Sequence, residues 1–166
     1  RRSMLLRDGH REIDGEHEHE RLAVYAHLLR HPSRGDVLVD AVLSADFEHD
    51  DFGNFRAPMR LFHWAMGTAF SLEHGQALGV QLARLGARPH TVFITHVHGD
   101  HTAGLPELPR DVAVVTGQGE ADDLAGHVGY GHFAPGTTLS ELDFRRGVAM
   151  PPFDAAIDVW GDGALW

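Results

Sequence analysis

The chain has 166 residues, 43% hydrophobic and 23% charged, with a net charge of −10. That is the length of one domain with a core of its own, too apolar for a disordered chain. Every cation is an arginine, and the acidic balance disfavours nucleic acid or an anionic membrane as partner.

There is no cysteine, so disulfides and thiolate metal sites are excluded, and any transition metal must be held by nitrogen and oxygen. No apolar run approaches the ~18 residues that span a bilayer. The opening RRSMLLRDGHRE lacks the apolar stretch of a signal peptide, so a cytoplasmic location is the expectation. The 14 histidines are the unusual feature. Where exposed, they move the net charge towards neutral as pH falls through ~6.5.

In chain order, residues 21–30 (RLAVYAHLLR) and 36–43 (DVLVDAVL) flank HPSRG, a turn signal, and predict a β-hairpin. A short helix is the alternative for the first arm. Residues 44–67 show no sustained period and contain Gly53 and Pro58. They predict a long loop with room for one helical turn, of a length often functional in compact domains. Over residues 71–85, Leu72, Leu78, Leu82 and Leu85 recur near helical spacing, and Gly86 and Pro89 supply the stop. Residues 91–95 (TVFIT) and 111–116 (DVAVVT) predict buried strands, 118–125 a short helix, 126–136 a glycine-rich loop and 157–160 a further strand. No repeat or linker appears, so 1–166 is expected to be one domain. An arginine at position 1 and the close DVWGDGALW suggest a chain cut at both ends, chiefly at the C-terminus.

The chemistry concentrates in residues 94–105, ITHVHGDHTAGL. His96 and His98 stand two apart directly after a strand, so both imidazoles point the same way if the extended geometry persists. Gly99 permits a turn that brings Asp100 and His101 towards the same point. Two imidazoles, one further ligand and a water make the open site of catalytic zinc. Zinc is the expected metal, with manganese or iron as alternatives. Such an ion supplies hydroxide at neutral pH without a serine or cysteine nucleophile. The same spacing in GEHEHE (His17, His19) reads instead as a solvated charged segment, because no apolar strand leads into it.

These residues resemble the metallo-β-lactamase superfamily: THVHGDHTAGL is similar to its HxHxDH signature, including the preceding Thr95 and the following Gly104. GDVLVDAV resembles the family strand that ends in an Asp-Thr-Gly-like turn, with Asp40 in place and Ala41 and Val42 departing. LARLGARPHTVFITH resembles the helix and strand leading into the metal loop. The resemblance runs from about Leu22 to the end of the chain.

It implies an α/β fold, the N-terminal part of an αββα sandwich with a mixed β-sheet and helices on one face. It implies a dinuclear site, with His96 and His98 at the first metal and Asp100 and His101 at the second. The remaining ligands, two histidines and a bridging aspartate, are expected beyond the C-terminus, since GDGALW resembles the strand before a Pro-Gly-His-like loop. His127, His132 and Asp162 are not expected to replace them. The chain as written is therefore expected neither to hold its metals tightly nor to turn over substrate.

In residues 55–66, FRAPMRLFHWAM, the apolar side chains read either as a wall for an acyl group or as plain core. Arg56 and Arg60 read as carboxylate-binding or solvated. The leading function is hydrolysis of a small-molecule, ester-like substrate (lactone, thioester or β-lactam), with Asp100 orienting the nucleophile. The alternatives are a nucleic-acid phosphodiesterase of the same superfamily, which the charge disfavours, and a metal-binding module without catalysis. An oxygen-reducing di-iron member is not expected, because that branch has glutamate where His98 stands. Nothing in the sequence signals an oligomeric state. Replacing His17 and His19 by alanine is expected to leave the metal content of the full-length protein unchanged; the loss of one equivalent would overturn the reading of GEHEHE.

Overall fold

The computed structural model describes residues 4–7, 11–13, 16–18, 21–120 and 139–166. The strands are β1 (Met4–Arg7), β2 (Arg11–Ile13), β3 (Glu16–Glu18), β4 (Arg21–Val24), β5 (His27–His31), β6 (Gly35–Val39), β7 (Ala69–Ser71), β8 (Thr91–Ile94), β9 (Ala113–Gly117), β10 (Leu139–Leu142), β11 (Val148–Met150) and β12 (Phe153–Ala156). The helices are α1 (Ala57–Ala65), α2 (Leu78–Leu85) and the single turn α3 (Gly99–Thr102).

Five strands form a mixed sheet in the order β10-β9-β8-β6-β5. β6, β8, β9 and β10 run parallel, while β5 is antiparallel through its hairpin with β6. Parallel strands are covered on both faces and so read as continuous apolar, β-branched runs. That is why TVFI and AVVTG pair at the centre, with Val92 and Ile94 buried. Leu78 and Leu82 of α2 join Leu38, Val92, Ile94 and Val114 in one core. A second sheet has the order β4-β1-β7, and β2-β3 and β11-β12 are two-stranded.

The expected mixed sheet, with the hairpin beside the strands at 91 and 111, is present. Several element boundaries differ. The first hairpin arm is two strands: β4 pairs with β1 and β5 with β6. The second arm stops at Val39, because Asp40 and Val42 take positive φ of 60° and 48° and leave the ladder.

The supposed loop 44–67 contains the nine-residue helix α1, with Pro58 in its first turn, where a missing N–H costs nothing. α2 starts at Leu78 rather than Ser71. Upstream, the Phe70 and Leu72 N–H groups bond sideways to Asp51 and Phe47 carbonyls, so that backbone is committed before a helix can begin. The helix ends at Gly86 with φ 58°, as its glycine predicts.

Residues 157–160 form no strand. Both Asp158 carboxylate oxygens accept N–H groups, from Gly161 at 2.9 Å and Gly163 at 2.8 Å, which winds the segment into a turn. Residues 118 and 119 form a turn and Glu120 is helical; the remainder of that expected helix, and the glycine-rich loop with His127 and His132, lie outside the described residues. Among the described residues no helix is long and apolar enough to cross a membrane.

Gly104 is where the loop after β8 meets the turn after β6. Its N–H donates to the Val42 carbonyl at 2.8 Å, and an added Cβ would stand 2.0 Å from the Ala41 carbonyl oxygen. Gly104→Ala must displace backbone rather than a side chain, so a loss of about 3 kcal/mol is expected. Thermal unfolding that matches wild type would contradict this contact.

Candidate metal centre

The carboxyl ends of parallel strands are where open α/β sheets collect ligands. Here Asp40 follows β6, the segment 95–101 follows β8, and Glu120 follows β9. The His96 ring centroid lies 4.5 Å from that of His98 and 4.1 Å from that of His101. His98 precedes the turn α3 with extended backbone (φ −64°, ψ 150°), and α3 then swings Asp100 and His101 back beside the pair. The Thr102 hydroxyl donates to the His98 carbonyl at 3.0 Å and fixes that turn.

Asp40 organises the cluster. Its carboxylate accepts the Thr95 N–H at 2.8 Å and the Thr95 hydroxyl at 3.0 Å, and it lies 2.9 Å from His101 Nδ1. His101 Nε2 lies 3.4 Å from Asp100. The Thr95 hydroxyl also lies 3.1 Å from His96 Nδ1.

Burial is the largest influence on His101 and pushes its imidazolium down. The hydrogen bonds and charges of Asp100 and Asp40 outweigh it and lift His101 to about 9. Burial, then the charges of His101 and His98, push His96 below the usual imidazole value. For Asp100, burial pushes up, but His101, its own backbone N–H and His96 together hold it below the usual carboxylate range.

The donors fit a divalent cation in kind: three imidazoles, one favoured in the neutral form, and two carboxylates, all nitrogen and oxygen. Their arrangement is incomplete. Among the described residues no group of three or more His, Asp or Glu side chains is set around a point that holds an ion.

The other candidates lie elsewhere. Asp162 accepts the Ala164 N–H at 3.1 Å and sits 3.3 Å from His31, as a turn residue. His17 has only its backbone described, in β3, and His19, His127 and His132 lie outside the described residues. Arg60 is tied to Asp50 at 2.7 Å and to the Gly53 carbonyl at 3.0 Å, leaving Arg56 as the exposed cation of that segment. The apolar residues of 55–66 divide: Phe55 and Met59 are core, while Leu61, Phe62, Trp64 and Met66 are exposed.

Two neighbours of the cluster, Glu120 and His63, carry no signal in the sequence, and a third, Asp40, is legible there only as part of a family-like turn. Glu120 accepts the Val97 N–H at 3.1 Å. His63 of α1 stacks on Phe55 at 5.3 Å and feels the charges of Asp100 and His98, with its Nδ1 buried and lacking a hydrogen-bond partner. Burial chiefly, then Asp100 and His98 in opposite senses, leave His63 below the usual imidazole value.

The profile of the metallo-beta-lactamase superfamily matches residues 19–163. No curated protein matches the chain. Among solved structures it is similar to a mutant of B. thuringiensis AiiA with N-decanoyl-L-homoserine bound at the active site; TM-score is 0.61 and identity 14%, covering 85% of this chain and 59% of that one. It is also similar to an N-acyl homoserine lactone hydrolase with the product N-hexanoyl-L-homoserine bound at its catalytic metal center; TM-score is 0.65 and identity 15%, covering 85% and 56%. At these identities the likeness is one of fold, and the chain spans under two thirds of the length of either.

In metal-free protein, proton NMR is expected to show His101 titrating near 9. A raised imidazole adds stability that is complete below the unfolded value of about 6.5 and is lost as pH rises through the folded one. Asp40→Asn should lower the His101 value and shrink that pH dependence; an unchanged titration would remove Asp40 from the cause.

Proposed function

The chain belongs to the metallo-beta-lactamase superfamily, and on that premise we propose a metal-dependent hydrolase of a small ester-like substrate, first of all a lactone bearing an apolar acyl chain. The observation that carries this reading is the cluster of His96, His98 and His101 rings, with Asp100 and Asp40, at the carboxyl ends of the parallel strands. His96, His98, Asp100 and His101 would hold the metal, zinc before manganese or iron, and two ions in the complete protein. When bound, the metal supplies the Lewis acidity that lets an ester-like carbonyl be opened at neutral pH.

The chain's own residues account for the rest. Asp100, favoured as the carboxylate, orients the attacking water and accepts its hydrogen bond. Asp40 holds His101 by Nδ1 and so fixes which nitrogen faces the cluster. Each of these contacts acts on position, and position is worth several kcal/mol when it converts a chance encounter into a bound one.

Support for a lactone comes from two sides. The similar solved structures hold N-acyl homoserines, one at an active site and one at a catalytic metal center. α1 and its C-terminal cap also present Leu61, Trp64 and Met66 at 64%, 69% and 61% exposure, an apolar surface on the helix that places His63 near Asp100 and His98. An acyl chain laid on that surface removes apolar area from water at about 25 cal/mol per Å². The net charge of −10 gives no footing to a nucleic-acid phosphodiesterase. A metal-binding module without catalysis is the outcome in which metal is held and no substrate turns over.

The test uses the full-length protein with zinc analysis and a panel of lactones, thioesters and a β-lactam. Wild type is expected to hold zinc and open lactones, more readily as the acyl chain lengthens, and His96→Ala or His98→Ala to lose both. Zinc retained by either variant, or zinc held without turnover of any substrate, would sink the hydrolase reading.

A further inference from the structure

We propose that Glu120 is a positioning residue for the histidine pair: from the end of β9 its carboxylate fixes the backbone at Val97, and with it the relation of His96 to His98. The purpose of this device rests on the metal reading above, whereas its geometry does not. Val97 is buried, and its N–H donates to Glu120 Oε2 at 3.1 Å across 23 residues of chain. Two residues earlier, the Thr95 N–H donates to Asp40 Oδ1 at 2.8 Å.

β8 ends at Ile94, and beyond it the ladder partners that β6 and β9 provide as backbone are replaced by side chains from the segments that follow those same two strands. One carboxylate holds the residue before His96 and the other holds the residue after it. The pairing of β9 with β8 runs to Ile94↔Thr116, and the Thr116 hydroxyl donates to the Ile94 carbonyl at 3.2 Å, so Glu120 is delivered from a fixed strand end.

A buried N–H without a partner costs about 1–3 kcal/mol. Without Glu120 the Val97 peptide must therefore turn to find one, and rotating that peptide swings His98 relative to His96, whose rings lie 4.5 Å apart. Partners that hold ligands in orientation are worth about 10–100-fold in metal affinity. Glu48 supplies a matched comparison: it too holds a backbone N–H, that of Gly75 at 2.8 Å, but on a loop apart from residues 95–101.

The experiment compares Glu120→Ala, Glu120→Gln and Glu48→Ala in the full-length protein. In metal-free protein, Glu120→Ala is expected to speed hydrogen exchange of the Val97 amide and to shift the imidazole resonances of both His96 and His98. Glu48→Ala should leave all three unchanged. By competition with a chromogenic chelator, Glu120→Ala is expected to bind zinc about 10–100-fold more weakly. Glu120→Gln, which keeps an oxygen for the Val97 N–H, should recover the resonances and most of the affinity. A Glu120→Ala variant whose Val97 exchange and imidazole resonances match wild type overturns the proposal, as does a Glu48→Ala variant that shifts them equally. If wild type takes up no zinc, the metal reading falls, and the exchange and imidazole measurements still decide the role of Glu120.

Discussion

The carboxylate of Asp40 is the contact on which this end of the molecule depends. It joins the end of β6, which carries it, to a loop far along the chain at two points: Thr95, whose N–H and hydroxyl it accepts, and His101, whose Nδ1 it holds. Beside it, the Ala41 N–H donates to the His101 carbonyl and the Gly104 N–H to the Val42 carbonyl. Those two bonds align the backbones but touch no imidazole. Asp40, by holding His101 Nδ1, converts the register of the sheet into the orientation of a ring.

The turn that presents this carboxylate is strained. Asp40 and Val42 both sit at positive φ, and for a β-branched residue that conformation costs roughly 1–2 kcal/mol. The surroundings offset it: Ala41, Val42 and Leu43 are buried, and backbone bonds to Phe93, His101 and Gly104 hold the turn from its other side. A strained, densely bonded turn beside a polar cluster fits a place where orientation is selected over local comfort. The close approach at Gly104 belongs to the same knot, since only a residue without a side chain lets the Ala41 carbonyl come so near.

Around this knot the site is asymmetric. On the sheet side, carboxylates meet backbone N–H groups and imidazoles; on the α1 side, Phe55 and His63 bring an aromatic wall whose outer residues, Trp64 and Leu61, remain exposed. Polar groups that fix direction beside apolar surface that takes up bulk is the usual division of labour in small-molecule sites. Arg60, which the sequence offered as a carboxylate anchor, is drawn instead to Asp50 and the Gly53 carbonyl. It braces the entry to α1 and leaves the cluster.

The sequence by itself determined what depends on neighbours in the chain. TVFI reads as a buried strand because its residues are apolar and β-branched, and HVHGDH concentrates three imidazoles and a carboxylate because no fold is needed to put six consecutive residues together. Gly86 stops α2 through its own conformational freedom. What required tertiary structure was everything set by partners distant in sequence. α1 was hidden because Pro58 and an exposed, aromatic outer face erase the period that marks a helix. The start of α2 was misread because Phe70 and Leu72 bond sideways to the segment at 47–51, a commitment no local pattern records. Asp40, Glu120 and His63 lie 61, 19 and 38 positions from His101, and only the stacking of β6, β8 and β9 in parallel, with α1 laid beside them, brings those side chains to one place. Parallel pairing gathers the ends of strands that the chain itself keeps apart.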